Sequence, residues 1–417
     1  MVRRGVAQEP AAHLLFFGET ILPEVPMRPL LALLLCSACG RDSFDTGKGG
    51  ITPDSDPPSS DDSTAHSAPP PDSATESHPP DSPPPDSPAE SVPPTDTADT
   101  ADTAEPAPST AAECFADIFG DGTEVPDYDK YGPVLNSTCT GTNHQDIEGI
   151  ERVVFIGDSI TVGSPPTDPA NFYRVQLADW LVETYGLEAP DALWEWYDVF
   201  EGTTIEMESG DFASCAKWGA RTDDLIQDND QVVDCLAEDK RDLTTLVVMT
   251  IGGNDLFNLA EEVNTGTLTT DELWALVTDY MGLVREAVTW MTEDPERFPN
   301  GVYVVFANLY EFTDALGNVD ACPGAAEVGY DWDIGGDEIT EMMNYSQEEF
   351  MSIAVDTNTD MLFMGEAFCG HGYNADEPTS RCYRGPDSEL WFDLTCFHPN
   401  DTGHVALGQL FRSVIEE

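Results

Sequence analysis

Four short apolar runs constrain what this chain can fold into: Val153–Ile156, Thr245–Ile251, Val302–Ala307 and Met361–Met364. Each is followed by loop residues, and stretches with helical spacing lie between and after them. Phe172 to Tyr185 carries a stripe of Tyr173, Leu177, Trp180 and Leu181. Leu273 to Met291 carries Leu273, Leu276, Val277, Tyr280, Val284 and Val288, and Val405 to Ile415 carries Leu407, Leu410, Phe411 and Val414. Apolar residues three and four apart share one helical face. Strands alternating with such helices predict a parallel sheet covered on both faces, an α/β fold. A further, weakly marked strand is expected before Gly219. Asn400 or Asp401 can cap the last helix. The aromatic cluster of Trp194, Trp196, Tyr197 and Phe200 reads as core or lid rather than as a ligand stack.

Parallel α/β folds keep their chemistry in the loops at the carboxyl ends of the strands. The first run ends in Gly157-Asp158-Ser159, which delivers the Ser159 hydroxyl to the sheet edge as a candidate nucleophile. Alone, this tripeptide reads as a surface turn; behind a buried strand it reads as more. The second run ends in Ile251-Gly252-Gly253-Asn254-Asp255. Its glycines allow a tight turn and leave the Asn254 amide within reach of a small substrate, although Gly-Gly-Asn-Asp is also ordinary turn chemistry. Ile334-Gly335-Gly336-Asp337 is a decoy, lacking both the strand and the Asn. Between these blocks, Thr222 is expected to cap a helix beginning at Asp223. Gly219 then precedes that helix with a free N–H that can face a developing negative charge. Near the end, His398 is held in an extended backbone by Pro399, directly before the last helix. A histidine so placed is commonly structural, but here a serine partner is available.

In order, Ser159, Gly219, Asn254 and His398 resemble the four blocks of the SGNH, or GDSL-type, hydrolases, over most of Ile150 to Glu417. The resemblance implies a three-layer α/β/α flavodoxin-like sandwich with a central parallel sheet. It also implies a serine ester hydrolase, esterase or lipase-like, that needs no cofactor. Ser159 would attack an ester carbonyl and His398 would take and return the proton. The Ser159 and Gly219 N–H groups and the Asn254 side chain would hold the oxyanion. The Cys396-Phe397-His398-Pro399-Asn400 stretch is similar to the lipase and phospholipase-B-like branches. No G-x-S-x-G surrounds Ser159, so this is not the α/β-hydrolase elbow. One departure stands out: the family places Asp three residues before the His, and here that position is Thr395. Either Asp393, five before, or the Thr395 backbone carbonyl is expected to orient the imidazole. The competing readings are an acyltransferase on the same site and a non-catalytic surface binding protein on an inactive hydrolase fold.

The remaining features bear on where the chain works. Residues 1–39 read as an export segment. Leu30 to Leu35 form its apolar core, Ser37 and Ala38 are small, and Cys39 is a candidate lipid anchor to a membrane. Cys36 replaces the usual Leu three before Cys39, so an ordinary signal peptide is the alternative. Glu19 and Glu24 make residues 1–26 a poor signal, and Met27 is the expected true start. Residues 40–112 are rich in Pro, Ser, Thr, Asp and Ala, with too little apolar surface to offset the entropy of ordering. They read as a disordered acidic linker. Residues 113–417 form the expected hydrolase domain, long enough for one large core. No apolar run is long enough to span a bilayer.

The net charge of −62 argues against binding nucleic-acid backbones, which demand a basic surface, so no nucleic-acid partner is expected. The expected partner is an ester substrate: a lipid, an acetylated glycan or a small ester. Eight of the ten cysteines fall in the hydrolase domain. An even count in an exported chain suggests disulfides. Neighbours suggest Cys114–Cys139, Cys215–Cys235 and Cys369–Cys382, which leaves Cys322 with Cys396; sequence alone leaves other connectivities open. Bridges at Cys215 and Cys396 would pin the loops of Gly219 and His398. No paired Cys-x-x-Cys within residues 113–417 points to zinc. The acidic turns Asp117 to Asp129 and Asp331 to Asp337 lack EF-hand spacing and read as solvated turns.

Overall fold

The structure, a computed structural model, describes residues 108–119, 125–227, 230–324 and 336–417. The export segment, Cys39, the linker up to residue 107 and the turn at Asp331 to Gly335 lie outside the described residues.

Eight strands are described. They are β1 (Arg152–Gly157), β2 (Tyr197–Asp198), β3 (Thr203–Thr204), β4 (Glu208–Ser209), β5 (Phe212–Ser214), β6 (Thr245–Thr250), β7 (Val302–Ala307) and β8 (Asp360–Leu362). Six form one sheet in the order β4-β5-β1-β6-β7-β8, while β2 and β3 make a small antiparallel hairpin. All pairs in the large sheet are parallel except β4–β5. Counting only the parallel strands, the order is 2-1-3-4-5, the flavodoxin-like winding, whose direction reverses between β1 and β6. The expected weak strand before Gly219 is β5. The fourth run yields only the three residues of β8, because Met364 already opens the helix Met364–Phe368.

Every residue of β1 and β6 is buried, which explains why these runs are unbroken rather than alternating. The two faces feed different cores. Val154, Ile156, Val247, Met249, Val304 and Phe306 pack with Val284, Val288, Phe350 and Ile353 from the helices Thr270–Thr292 and Asp337–Thr357. Val153, Phe155, Leu246, Val248 and Val305 point the other way, onto Leu177, Leu181, Leu407 and Phe411 from the helices Tyr173–Tyr185 and Asp401–Ile415. Each such side chain contributes about 1.5–3 kcal/mol on burial, so the central strand ends are rigid supports.

The caps follow local chemistry. Thr269 and Glu272 form a capping box, and Asn400, rather than Asp401, accepts from Gly403 N–H to start the last helix. The first described helix, Ala111–Cys114, straddles the expected linker boundary. The Asp129 carboxylate accepts from Ala111 and Ala112 N–H, so that part of the acidic turn binds backbone. Four disulfides join Cys114–Cys139, Cys215–Cys235, Cys322–Cys396 and Cys369–Cys382, the pairing that neighbouring cysteines suggested.

Candidate active site

β1 ends at Gly157, whose φ is +127°. A Cβ there would lie 1.9 Å from the Thr250 carbonyl oxygen, so only glycine allows β1 and β6 to close at their ends. Beyond the reach of β5, the Gln231 side chain stands in for a neighbouring strand. Its Oε1 accepts from Gly157 N–H at 2.7 Å and its Nε2 donates to Gly157 O at 3.1 Å. Asp158 is buried and accepts at Oδ1 from Ile160 N–H and from the Thr250 hydroxyl, both at 3.0 Å. The carboxylate therefore caps the single helical turn Ser159–Val162 and ties it to β6. Burial pushes its pKa up to about 7, against the pull of these hydrogen bonds. Ser159 sits at the start of that turn, 8% exposed.

His398 arrives from the other end of the sequence. Its Nε2 lies 2.9 Å from Ser159 Oγ. Residues 392–399 fold back on themselves: Phe392 bridges Pro399, and Asp393 N–H donates to His398 O at 2.9 Å. The Tyr310 hydroxyl donates to Phe397 O and the Tyr373 hydroxyl to Asp393 O. Cys396 has a φ of +70° and is joined to Cys322. Burial holds the His398 pKa below the usual imidazole value, with Asp393 acting in the opposite direction. The ring is thus kept neutral near neutral pH.

Neither expected support touches that ring directly. Among the described residues, no hydrogen bond joins His398 to the Asp393 carboxylate or to the Thr395 carbonyl. The Thr395 hydroxyl lies 3.3 Å from His398 Nδ1 and 2.5 Å from Asp393 Oδ1, which also accepts from Thr395 N–H at 2.8 Å. Sequence reasoning considered the carbonyl of Thr395 and overlooked its side chain. The signal was present: a hydroxyl stands at the position where the family carries its acid.

The third face holds Gly219 and Asn254. Gly219 has a φ of +73° and lies on a loop fixed at both ends. Cys215 is bridged to Cys235, and Lys217 N–H donates to Gly157 O at 3.0 Å. Trp218 Nε1 donates to Gly163 O at 2.9 Å. The expected helix cap at Thr222 is not formed. Residues Thr222–Leu225 make a 3-10 turn with Arg221 at its N-cap position. Thr222 N–H and its hydroxyl instead donate to the buried Asp255 carboxylate at 2.9–3.3 Å. Thr222 stands inside the turn rather than before it, and its hydroxyl is turned to the buried carboxylate instead of to the backbone N–H groups a cap would serve. Burial pushes the Asp255 pKa up to about 7. Asn254 Nδ2 donates to Ala220 O at 2.8 Å, so both members of the Asn-Asp pair tie the Gly219 loop to the first turn of the helix Gly253–Thr265, just after β6. The N–H groups of Ser159 and Gly219 have no partner among the described residues.

Sequence reasoning missed the parts played by Gln231, Thr250 and Asp255, since each acts through a contact distant in sequence. The aromatic cluster divides: Trp194 is fully buried, whereas Phe200 is 91% exposed. A cleft of about 440 Å³ lies at the opposite edge of the sheet, beside Gly301 and Val302 at the start of β7. His144 and Gln145 line it but are already bonded to backbone, and it contains neither Ser159 nor His398. Among the described residues no cluster of three or more His, Cys, Asp or Glu could hold a metal ion, and no helix is long and apolar enough to cross a membrane.

The family described as GDSL-like Lipase/Acylhydrolase matches residues 153–411, more than half of the chain. The chain is similar to the solved structure of Axe2, an acetylxylan esterase from Geobacillus stearothermophilus, at 17% identity and a TM-score of 0.38, over 66% of this chain and 97% of that one. It is also similar to phospholipase A1 from Streptomyces albidoflavus NA297, at 17% identity and a TM-score of 0.38, over 63% and 99%. An extracellular lipase from Streptomyces rimosus is 16% identical with a TM-score of 0.37, over 63% and 99%. No curated protein matches the chain.

Proposed function

The chain belongs to the GDSL-like lipase/acylhydrolase family and is a carboxylic-ester hydrolase, and from that premise we propose that it works through an acyl-enzyme on Ser159. The observation that carries this reading is the 2.9 Å approach of Ser159 Oγ to His398 Nε2 beside two unpartnered backbone N–H groups. Neutral His398 accepts the Ser159 proton at Nε2 while Oγ bonds to the ester carbonyl carbon. The carbonyl oxygen takes the negative charge and is met by Ser159 N–H, Gly219 N–H and the second N–H of Asn254 Nδ2. Collapse expels the alcohol, which leaves with the proton from His398. Water then attacks the acyl-enzyme, its proton passes to Nε2, and the carboxylic acid departs as Ser159 is restored. The donors stand fixed by β1, β6 and the Gly219 loop, so they need no rearrangement as charge develops.

Labelling with a fluorophosphonate, together with hydrolysis of a p-nitrophenyl acyl series, tests this reading. Wild type should label and turn over, and Ser159→Ala should do neither. Label or turnover surviving in Ser159→Ala overturns it. Asn254→Ala should keep the label while kcat falls roughly a hundredfold.

The same proposal extends to the whole chain. Residues 1–39 serve export, 40–112 form a spacer, and 113–417 carry the ester hydrolase, held at a membrane through Cys39. Four disulfides are consistent with export into an oxidising compartment. Intact mass of the mature protein tests the anchor, and an unmodified Cys39 removes it.

A further inference from the structure

The histidine loop departs from the pattern its family uses, and the departure has a definite geometry. Thr395 occupies the third position before His398, where a carboxylate is expected. Its hydroxyl lies 3.3 Å from His398 Nδ1, on the ring edge away from Ser159. The same oxygen lies 2.5 Å from Asp393 Oδ1. Both Thr395 and Asp393 are buried, at 8% and 4% exposure. Directions follow from proton inventory. With Nε2 accepting from Ser159, neutral His398 carries its proton on Nδ1 and donates there. A hydroxyl can accept from Nδ1–H and donate its own proton to a carboxylate, whereas a carbonyl can do only the first.

We infer that Thr395 is a positioning residue that links His398 to Asp393 through its hydroxyl, forming an Asp393–Thr395–His398 relay in place of the usual direct acid–histidine pair. The inference rests on the reading of Ser159 and His398 given above. The hydroxyl sets the ring orientation and the tautomer, and the carboxylate behind it favours the imidazolium that forms when Ser159 attacks. The proton on Nδ1 stays on Nδ1 throughout. Three further observations support a relay. Asp393 Oδ1 receives both the hydroxyl and the N–H of Thr395, so the carboxylate fixes the side chain it receives from. Asp393 Oδ2 is buried without a hydrogen-bond partner, so no other side chain holds the carboxylate away from Thr395. The threonine methyl and branched Cβ restrict χ1, which keeps the hydroxyl aimed once the backbone is set.

A kinetic cycle on the full-length chain tests the relay. The variants are Thr395→Val, Thr395→Ser, Asp393→Asn and the double variant Thr395→Val/Asp393→Asn. Thr395→Val keeps shape and branching while removing the hydroxyl. Hydrogen bonds to charged groups of this kind correspond to roughly 10–100-fold in kcat, and that is the expected loss, with KM changed by less than about twofold. Thr395→Ser should recover most of the wild-type rate, which a purely structural role for the methyl would not allow. Asp393→Asn should lose a similar factor, and the double variant should be no worse than the poorer single one. Thr395→Val at wild-type kcat overturns the relay. So does a costly Asp393→Asn beside a harmless Thr395→Val, which would mean direct carboxylate contact. Fully multiplicative losses overturn it as well. If Thr395→Val does not fold, Thr395→Ala replaces it in the same cycle. Ser159→Ala run alongside separates the two claims: if it stays active, the reading of the site fails; if it is dead while Thr395→Val is normal, only the relay fails.

Discussion

The serine end of the site is built on β1 and β6, whereas the histidine end hangs on residues 392–399, which contain no strand beyond one isolated bridge. At the serine end, backbone ladders continue up to Gly157, and Asp158, Thr250 and Gln231 extend them with side chains. The support is continuous with the buried core. At the histidine end a disulfide, a left-handed Cys396 and hydroxyls from Tyr310, Tyr373 and Thr395 do the same work from outside the sheet. If Ser159 is the nucleophile and His398 the base, as proposed, a nucleophile placed by a sheet inherits its precision from the fold. A base placed by a loop needs its own cross-links, and it can drift by the fraction of an ångström that catalysis notices.

That contrast can be broken at several points. Gly157→Ala should have the largest effect, because its Cβ would meet the Thr250 carbonyl at 1.9 Å where φ is +127°. Positive-φ strain and overpacking together predict a loss of roughly 4 kcal/mol or more, read by chemical denaturation. A stable Gly157→Ala would mean that the strand ends are less tightly closed than the geometry requires.

The paired variant Cys322→Ser/Cys396→Ser opens a closure of 74 residues. Loop entropy alone predicts a loss of up to about 4 kcal/mol. The sharper expectation concerns function. The catalytic rate should fall by about tenfold or more as His398 loses its anchor. Meanwhile hydrogen exchange at β1 and β6 below the global opening limit should stay as in wild type. Equal loosening of both ends would erase the distinction.

The smallest effect concerns pH. Burial lowers the His398 pKa from its usual 6.5, with Asp393 opposing, and under the proposed mechanism the ring must be neutral to accept the Ser159 proton. The acid limb of kcat/KM should therefore lie below pH 6.5 in wild type. Asp393→Asn removes the charge that favours the imidazolium, so the limb should move to still lower pH. A limb above 6.5 would mean that the carboxylate outweighs burial at the loop.

The two ends were also unequally legible before folding. Val153–Ile156 and Val302–Ala307 announce strands because a strand buried on both faces must be apolar throughout. The Gly-Asp-Ser and Gly-Gly-Asn-Asp blocks follow such strands, so their place at the sheet edge was readable. A cap at Asn400 or Asp401 was readable for the same local reason, and the structure chose Asn400. Thr222 was misread as a cap because its partner, Asp255, lies 33 residues away. Gln231 sits 74 residues from the Gly157 backbone it completes. Nothing local distinguishes that glutamine from any other.

The amino-acid sequence by itself determined the alternating α/β pattern, the strand-end positions of Ser159 and Asn254, and the even set of cysteines. These depend on side-chain periodicity and local turn chemistry, which act within a few residues. Tertiary structure decided that Ser159 and His398, 239 residues apart, meet at 2.9 Å, and that the Thr395 side chain rather than its carbonyl faces the imidazole. Those outcomes depend on how two buried faces of one sheet bring distant loops together, and on which buried acceptor each hydroxyl finds once water is gone.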